Sequence, residues 1–537
     1  MKNLNPVRNY KSYINMEHVA LERRRELISQ RKVRISNGVN RRQFLNLVAG
    51  GAAATLAPST GCKSQPRVAA SKSKVLGVAQ PNIILIITDD QGYGDLSCHG
   101  NPVLKTPNLD GLHAKSVRFT NFHVSPTCAP TRSALFSGRH EFKNGVTHTL
   151  NERERMSLET VTLADTLKKA GYTAGIFGKW HLGDQDAYQP DKRGFDEVFI
   201  HGAGGIGQRY PGNTCADAPP NQQNRYFDPV IKHNGTFVKT KGFCTDVFFR
   251  QALGWINKKR RGSQPFFAYI STNAPHSPYI APEKYKQPFL AQGHNENLAG
   301  FYGMIVNIDD NIKLLTDKLA DWNLEQKTLL IFMTDNGTAA GSKVFNAGMK
   351  GKKGNPNEGG TRVPAFFRWT SVLKEGVDVN RLTAHIDMYP TLAELAGARL
   401  PGNRQVEGRS LVPLLKDPSA KWEDRFLFTH VGRWPKGAEP DKYKFNRFSV
   451  RSSRFLLVGK SELYDMQADP GQKVNVIDKH PKVAEKMLDA YDQWWRQTRQ
   501  LMVNEKEPVY EGKQPFVINY EKQLKTKGIP DWVEPPI

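Results

Sequence analysis

Two short pairs of oxygen donors, Asp89-Asp90 and Asp335-Asn336, each close a run of aliphatic residues. They offer carboxylate and amide oxygens, with neither His nor Cys among them, and such a set suits Ca²⁺ or Mg²⁺ better than zinc. Three carboxylates brought together would repel one another unless a cation lay between them. Taken singly, each pair could equally cap the loop that follows it. A second chemistry sits in Cys128-Ala129-Pro130-Thr131-Arg132, continued by Ser133-Ala134-Leu135-Phe136-Ser137-Gly138-Arg139. Pro130 suits the first turn of a helix, because it lacks the N–H that would go unpaired there. Cys128 is then expected just before the helix N-terminus, where exposed N–H groups and the helix dipole favour a thiolate or a bound oxyanion. Arg132 would lie about one turn further on, able to return to the same spot. These residues read either as a reactive cysteine beside an anion site or as an inert buried thiol.

The elements that must position them follow one plan. Ile83 to Ile87 is a short, continuous apolar run, as a strand buried on both faces of a parallel sheet requires, and it stops at Thr88-Asp89-Asp90. Thr328 to Met333 stops at Thr334-Asp335-Asn336-Gly337, Thr173 to Phe177 at Gly178-Lys179-Trp180-His181, and Phe266 to Ser271 leads to Asn273-Ala274-Pro275-His276-Ser277-Pro278. Helical spacing is expected over Leu158 to Ala170, Asp246 to Asn257 and Gly303 to Ala320. Strands alternating with helices imply an α/β fold with a large, mostly parallel sheet flanked by helices. Ligands in such sheets bind beyond the carboxyl ends of the strands, so the polar clusters converge on one rim. Beyond Leu415, strands are expected over Phe426 to Thr429 and Phe448 to Val458, with a helix over Val483 to Arg496. These predict a smaller C-terminal domain of antiparallel sheet plus helix, followed from Pro508 by a Pro- and Lys-rich tail that wraps the surface.

The Cys-x-Pro-Thr-Arg motif with its Leu-x-Ser-Gly-Arg continuation resembles the signature of the type I, formylglycine-dependent sulfatases, arylsulfatase-like members of the alkaline phosphatase superfamily. Asp89 to Leu96, Gly178 to Gly183, Pro275 to Pro278, Asp335-Asn336-Gly337 and Lys353 to Pro364 resemble further family segments in the same order. Glu462 to Asp465 and Asp469-Pro470 resemble the C-terminal domain, so the similarity spans about residues 81–500. The resemblance implies that Cys128 is oxidised to formylglycine by a maturation enzyme and hydrated to a geminal diol. One diol oxygen then attacks sulfur, and the other hydroxyl later expels sulfate from the covalent ester. It further implies one Ca²⁺ held by Asp89, Asp90, Asp335, Asn336 and the modified Cys128. Arg132 would hold the nucleophile's oxygen and anchor carboxylates, and Lys179 and Lys353 would neutralise the sulfate. His181 would act as base, and His276, with Lys353, as general acid on the leaving oxygen. Lys350 and Lys352 share the basic loop, but Lys353 stands at the family's distance before Glu358. His99, His123, His140 and His148 have no family placement, and His385 reads as structural. Asn355-Pro356-Asn357 departs from a stretch where relatives carry small hydroxyl residues and an aromatic, which bears on substrate contacts.

The formal charge is +24, of which residues 1–62, with eleven Lys and Arg against three Glu, contribute +8 and leave +16 for the rest. A basic surface suits sulfated glycans or other polyanions, and no RNA-binding signature or zinc finger points to nucleic acid. Arg41-Arg42-Gln43-Phe44-Leu45 before the mild apolar stretch Leu45 to Ala57 resembles a twin-arginine export signal, too short and glycine-rich for a membrane span. The preceding residues are long for a signal's leading region, and Met16 is a second possible start. Thr60-Gly61-Cys62 resembles a lipoprotein signal end, with Cys62 a possible lipid anchor. The expected layout is therefore an export signal over 1–62, a linker over 63–80, a catalytic domain over 81–415 and a C-terminal subdomain and tail over 416–537. Its partners would be a sulfated glycan, the maturation enzyme and the export machinery, in a periplasmic or outer-surface location. Of the five cysteines, Cys215 and Cys244 could pair in an oxidising compartment. Gly202 to Phe227 reads as a specificity loop. Two rival readings remain: a phosphate or phosphonate ester hydrolase on the same fold, and a non-catalytic polyanion-binding surface protein whose Cys128 stays unmodified.

Overall fold

The computed structural model describes residues 76–77, 79–206, 226–402, 405–508 and 512–537. The export-signal segment, Cys62, Cys215 with its pairing to Cys244, and most of the Gly202 to Phe227 loop lie outside these. Ten strands form the main sheet, in the spatial order Val377–Val379, Val117–Phe119, Ala365–Arg368, Thr328–Thr334, Asn82–Thr88, Phe266–Ser271, Thr173–Lys179, Glu197–His201, Val230–His233 and Thr236–Lys239. The five strands from Thr328–Thr334 to Glu197–His201 run parallel. Antiparallel pairs flank them on both sides. Along Asn82–Thr88 the side chains alternate between two cores: Ile83, Leu85 and Ile87 enter one, Ile84 and Ile86 the other. That division explains the unbroken apolar run, since neither face of this strand meets water.

Three expected elements differ in extent. The helix predicted over Leu158 to Ala170 is confined to Leu163–Lys169, because Thr162 and Asp165 form a reciprocal capping box that starts it there. Asn295 likewise caps Glu296–Asp321, so the helix expected from Gly303 begins two turns earlier. The predicted strand Phe448 to Val458 is a hairpin of Phe448–Arg451 and Phe455–Val458, in which the Ser452 hydroxyl and backbone close the turn.

These two strands sit between Leu427–His430 and Glu462–Asp465 in a four-stranded antiparallel sheet. Helix Pro481–Arg499 buries Ala484, Met487, Tyr491, Trp494 and Trp495 against it, the one-sided spacing of an amphipathic helix. The tail includes a helix, Pro515–Lys527, and returns to the main sheet. Phe516 and Tyr520 pack edge-on to Phe237, and the Trp532 N–H donates to the Lys239 carbonyl at 2.7 Å. No helix among the described residues is long and apolar enough to cross a membrane.

The small sheet props the loop that carries Lys353. Ser449 Oγ donates to the Pro356 carbonyl at 2.7 Å, Arg447 donates to the Gly354 carbonyl, and Arg451 Nε meets Glu358 Oε1 at 3.0 Å. Arg451 and Glu358 are both buried; burial pushes the Glu358 carboxyl up, but Arg451, with His123 and Arg362, more than offsets it and holds it below its usual range. Arg451→Ala would leave that charge buried without its partner. It is expected to cost about 3–5 kcal/mol, read as earlier thermal unfolding, with Arg451→Lys recovering part of the loss.

Candidate active site

Every polar cluster predicted from a strand end lies at the same edge of the parallel sheet. Strands Asn82–Thr88 and Thr328–Thr334 pair in register to their last residues, Thr88 opposite Thr334, so Asp89-Asp90 and Asp335-Asn336 leave side by side. The Asp335 N–H donates to the Thr88 carbonyl at 3.0 Å, and the Asp90 N–H to Asp335 Oδ1 at 3.1 Å. Asp90 takes a left-handed backbone, φ 70°, an uncommon conformation for a non-glycine residue, which turns the chain sharply at the strand end.

Each carboxylate has its own basic partner. Lys179 Nζ lies 2.5 Å from Asp89 Oδ2, Lys353 Nζ 2.6 Å from Asp90 Oδ1, and Arg132 Nη2 2.8 Å from Asp335 Oδ2. Asn336 Nδ2 donates to Asp90 Oδ1 at 3.0 Å, and His276 Nε2 is 3.8 Å from Asp90 Oδ2. Asp89, Asp335, Asn336, Lys179 and Arg132 are wholly buried, whereas the side chains of Lys353 and His276 each keep 18% of their surface exposed. The site therefore opens to solvent on the side of Lys353 and His276. Lys350, by contrast, pairs with Glu462 and Tyr464 on the small sheet.

Cys128 is the first residue of helix Cys128–Ser137, with Thr127 in extended conformation at the cap. This corrects the expectation that Cys128 precedes the helix: the Thr131 N–H already reaches the Thr127 carbonyl at 3.2 Å, which draws Cys128 into the first turn. The unpaired N–H groups of that turn still face outward from its N-terminus. Lys179 and Lys353 outweigh burial and lower the Cys128 thiol from its usual range. Its sulfur and one oxygen each from Asp89 and Asp335 lie within 4.8 Å of one another.

Arg132 reaches back as its spacing predicts, and it spends most of its donors on protein groups. Nε and Nη2 donate to Asp335 Oδ2, and Nη1 donates to Tyr269 Oη at 3.2 Å and to Ser271 Oγ. One of the five guanidinium N–H bonds, on Nη2, is left over. Sequence reasoning missed Tyr269 and Ser271, because they sit inside an otherwise apolar strand. Their spacing of two, which puts both on one face, was the available signal. His181 Nε2 donates to the Thr149 carbonyl at 2.9 Å. Since a carbonyl only accepts, Nδ1 carries the lone pair, and burial followed by Lys179 holds the ring neutral. His385 bonds Ser125 Oγ at 3.0 Å.

The donor set fits a hard cation. Asp89 Oδ1 and Asn336 Oδ1 are buried with no hydrogen-bond partner among the described residues, a condition that ordinarily calls for an unseen proton or ion. Burial, reinforced by Asp89, pushes the Asp335 carboxyl up to about 7, and burial raises Asp89 to about 6 against the pull of Lys179. Lys353 and His276 overcome burial and hold Asp90 below the usual carboxylate range. An arrangement with this much residual repulsion can take up further positive charge and present it to an anion.

The comparisons agree with this geometry. The sulfatase family model matches residues 81–398, and that of the N-sulphoglucosamine sulphohydrolase C-terminal region matches residues 355–497. Human N-acetylgalactosamine-6-sulfatase is 32% identical over 427 residues, covering 74% of this chain and 77% of its own length. Human arylsulfatase A is 30% identical over 452 residues, covering 75% and 84%. The crystal structure of Ps i-CgsB in complex with k-i-k-neocarrahexaose is similar at a TM-score of 0.70 and 26% identity, covering 83% of this chain and 98% of that one. The chain belongs to the sulfatase family. It is a sulfuric ester hydrolase on the alkaline phosphatase superfamily fold.

Gly178 tests the geometry. Its φ is +107°, and a Cβ there would stand 2.0 Å from the Ser271 carbonyl oxygen. Gly178→Ala is therefore expected to push the strand end off its neighbour and move Lys179 from Asp89, lowering kcat/KM by about 100-fold, the usual cost of an ångström's misplacement. Steady-state kinetics on a sulfate ester, alongside an unchanged circular dichroism spectrum, would check this. Undiminished turnover would contradict the close approach.

Proposed function

We propose that the chain removes sulfate esters from a sulfated polysaccharide or oligosaccharide outside the cytoplasm, with Cys128 converted to formylglycine and one Ca²⁺ at the carboxylates. The observation that carries the proposal is the meeting of Cys128 with Asp89 and Asp335, beside two unpaired buried oxygens. Asp89, Asp90, Asp335 and Asn336 would hold the cation, which supplies charge neutralisation for sulfate oxygens and for the nucleophile. Hydrated formylglycine supplies a nucleophilic oxygen and a second hydroxyl that a serine would lack.

The protein's own groups divide the rest. Arg132 anchors Asp335 and keeps one N–H for the nucleophile's oxygen. Lys179 and Lys353 bring ammonium charge to where sulfate becomes more anionic. His181, with Nδ1 unprotonated, is suited to take a proton from the Cys128-derived group. His276 stands at the open side next to Lys353, with Nδ1 2.7 Å from the Ser277 carbonyl, so it would give the departing sugar oxygen a proton from Nε2 only in its doubly protonated form, with Lys353 assisting.

A glycan substrate is supported by the relatives: one is named for N-acetylgalactosamine and another was crystallised with k-i-k-neocarrahexaose. The +16 formal charge left after the export-signal segment favours polyanionic substrates. The twin-arginine-like segment supports export to the periplasm or outer surface, and Thr60-Gly61-Cys62 supports lipid attachment there.

Mass spectrometry of the peptide spanning Cys128 is expected to find an aldehyde in place of the thiol, and Cys128→Ala should abolish turnover. An unaltered thiol throughout an active preparation would refute the reading. Chelation should remove activity that Ca²⁺ restores, and Asp335→Ala should lose any Ca²⁺-dependent rise in thermal midpoint; a rise that persists in that variant would place the ion elsewhere. A panel of defined sulfated oligosaccharides, run against matched phosphate esters, should show release of sulfate and little of phosphate.

A further inference from the structure

A second group of metal-ligating side chains lies apart from the catalytic carboxylates. Cys98 and His99 sit on the short 3-10 turn Ser97–His99, and His113 lies near the end of helix Pro107–Ala114. One ligand atom from each lies within 4.8 Å of the others, and all three residues are half-buried. We propose that Cys98, His99 and His113 form a site for a thiophilic divalent metal of the zinc class.

The donor chemistry separates this site from the first. One thiol and two imidazoles match zinc, whereas the oxygen-only set at the strand ends matches a hard cation. Tetrahedral bonds of about 2.0–2.3 Å would hold the ligand atoms roughly 3.3–3.7 Å apart. The ligand atoms lie within 4.8 Å of one another, so binding would have to draw them closer.

The surroundings orient the ligands as metal sites commonly do. His99 Nδ1 lies 2.7 Å from the Tyr93 carbonyl, which can only accept, so Nε2 is left with its lone pair for a metal. Tyr93 stacks on the His99 ring at 3.8 Å, and Phe366 packs edge-on to both imidazoles. Asp110 ties the two elements together: Oδ1 accepts from the Cys98 N–H at 2.9 Å and Oδ2 from Ser97 Oγ at 2.6 Å. The helix that carries His113 therefore also holds the turn that carries Cys98, and brings a negative charge beside the site. Burial and Asp110 keep the Cys98 thiol protonated in the absence of a cation. Binding forms a sulfur–metal bond and releases that proton to solvent, with no change of oxidation state. Partial exposure leaves a fourth position that water can fill. The bound metal would clip the segment leaving Asp89-Asp90 to helix Pro107–Ala114.

Cobalt(II) is the probe, titrated into the full chain with Ca²⁺ in excess. The expected result is a thiolate-to-cobalt absorption band that persists in Cys128→Ala, disappears in Cys98→Ser and weakens strongly in His113→Gln. Zinc should displace the cobalt and raise the thermal midpoint of the unsubstituted chain but not of His113→Gln. Absence of the band, its survival in Cys98→Ser, or its loss in Cys128→Ala alone would overturn the proposal, the last by assigning the metal to the catalytic carboxylates. Should Cys98→Ser fail to fold, His113→Gln decides: an unchanged band and an unchanged zinc response there also overturn it.

Discussion

Asp89, Asp90 and Asp335 gather where water scarcely reaches, and each would be costly to ionise alone. Their mutual repulsion organises the surrounding protein. Lys179 arrives from a parallel strand two places away, across Phe266–Ser271, Arg132 from the helix that begins at Cys128, and Lys353 from a loop propped by the C-terminal sheet. A buried charge removed from any pair leaves its partner uncompensated, so each pair ties the element that carries its base to the carboxylate cluster. The same unsatisfied oxygens that make the cluster unstable by itself make it receptive to added positive charge, and hence to an anionic substrate.

The two sides of the cluster have different tasks. On the inner side, Arg132 is fixed by Asp335, Tyr269 and Ser271, a rigid fork with little freedom to follow a ligand. On the outer side, Lys353 and His276 remain partly exposed and border the entrance. The outer side is also where the small sheet contributes. Arg447, Ser449 and Arg451 hold the loop through Gly354, Pro356 and Glu358. The C-terminal sheet thus shapes the rim beside Lys353 without supplying any of the predicted reacting groups.

Much of this was legible because buried parallel strands impose a strict pattern. A strand covered on both faces must be continuously apolar, and its chemistry is displaced to its ends, so Asp89, Lys179, Asp335 and the His276 loop announced themselves at the boundaries of Ile83 to Ile87, Thr173 to Phe177, Thr328 to Met333 and Phe266 to Ser271. Tyr269 and Ser271 did not, since the sheet hides them within such a run. Helix starts were less legible: the reciprocal cap of Thr162 and Asp165 and the cap at Asn295 overrode apolar periodicity. His99 and His113 gave no signal in the chain, because nothing in their separation says that a helix and a turn will meet.

The sequence by itself determined the kinds of donor available, the strand-end positions of most of them and the family signature around Cys128, all local properties of residue type and spacing. Only the tertiary structure decided which charges pair, Lys179 with Asp89, Lys353 with Asp90 and Arg132 with Asp335, and that Cys98, His99 and His113 come together. Those outcomes depend on register between strands and on contacts between elements separated by anything from about fifteen residues, as for Cys98 and His113, to well over two hundred, as for Asp90 and Lys353, and no local pattern encodes such meetings.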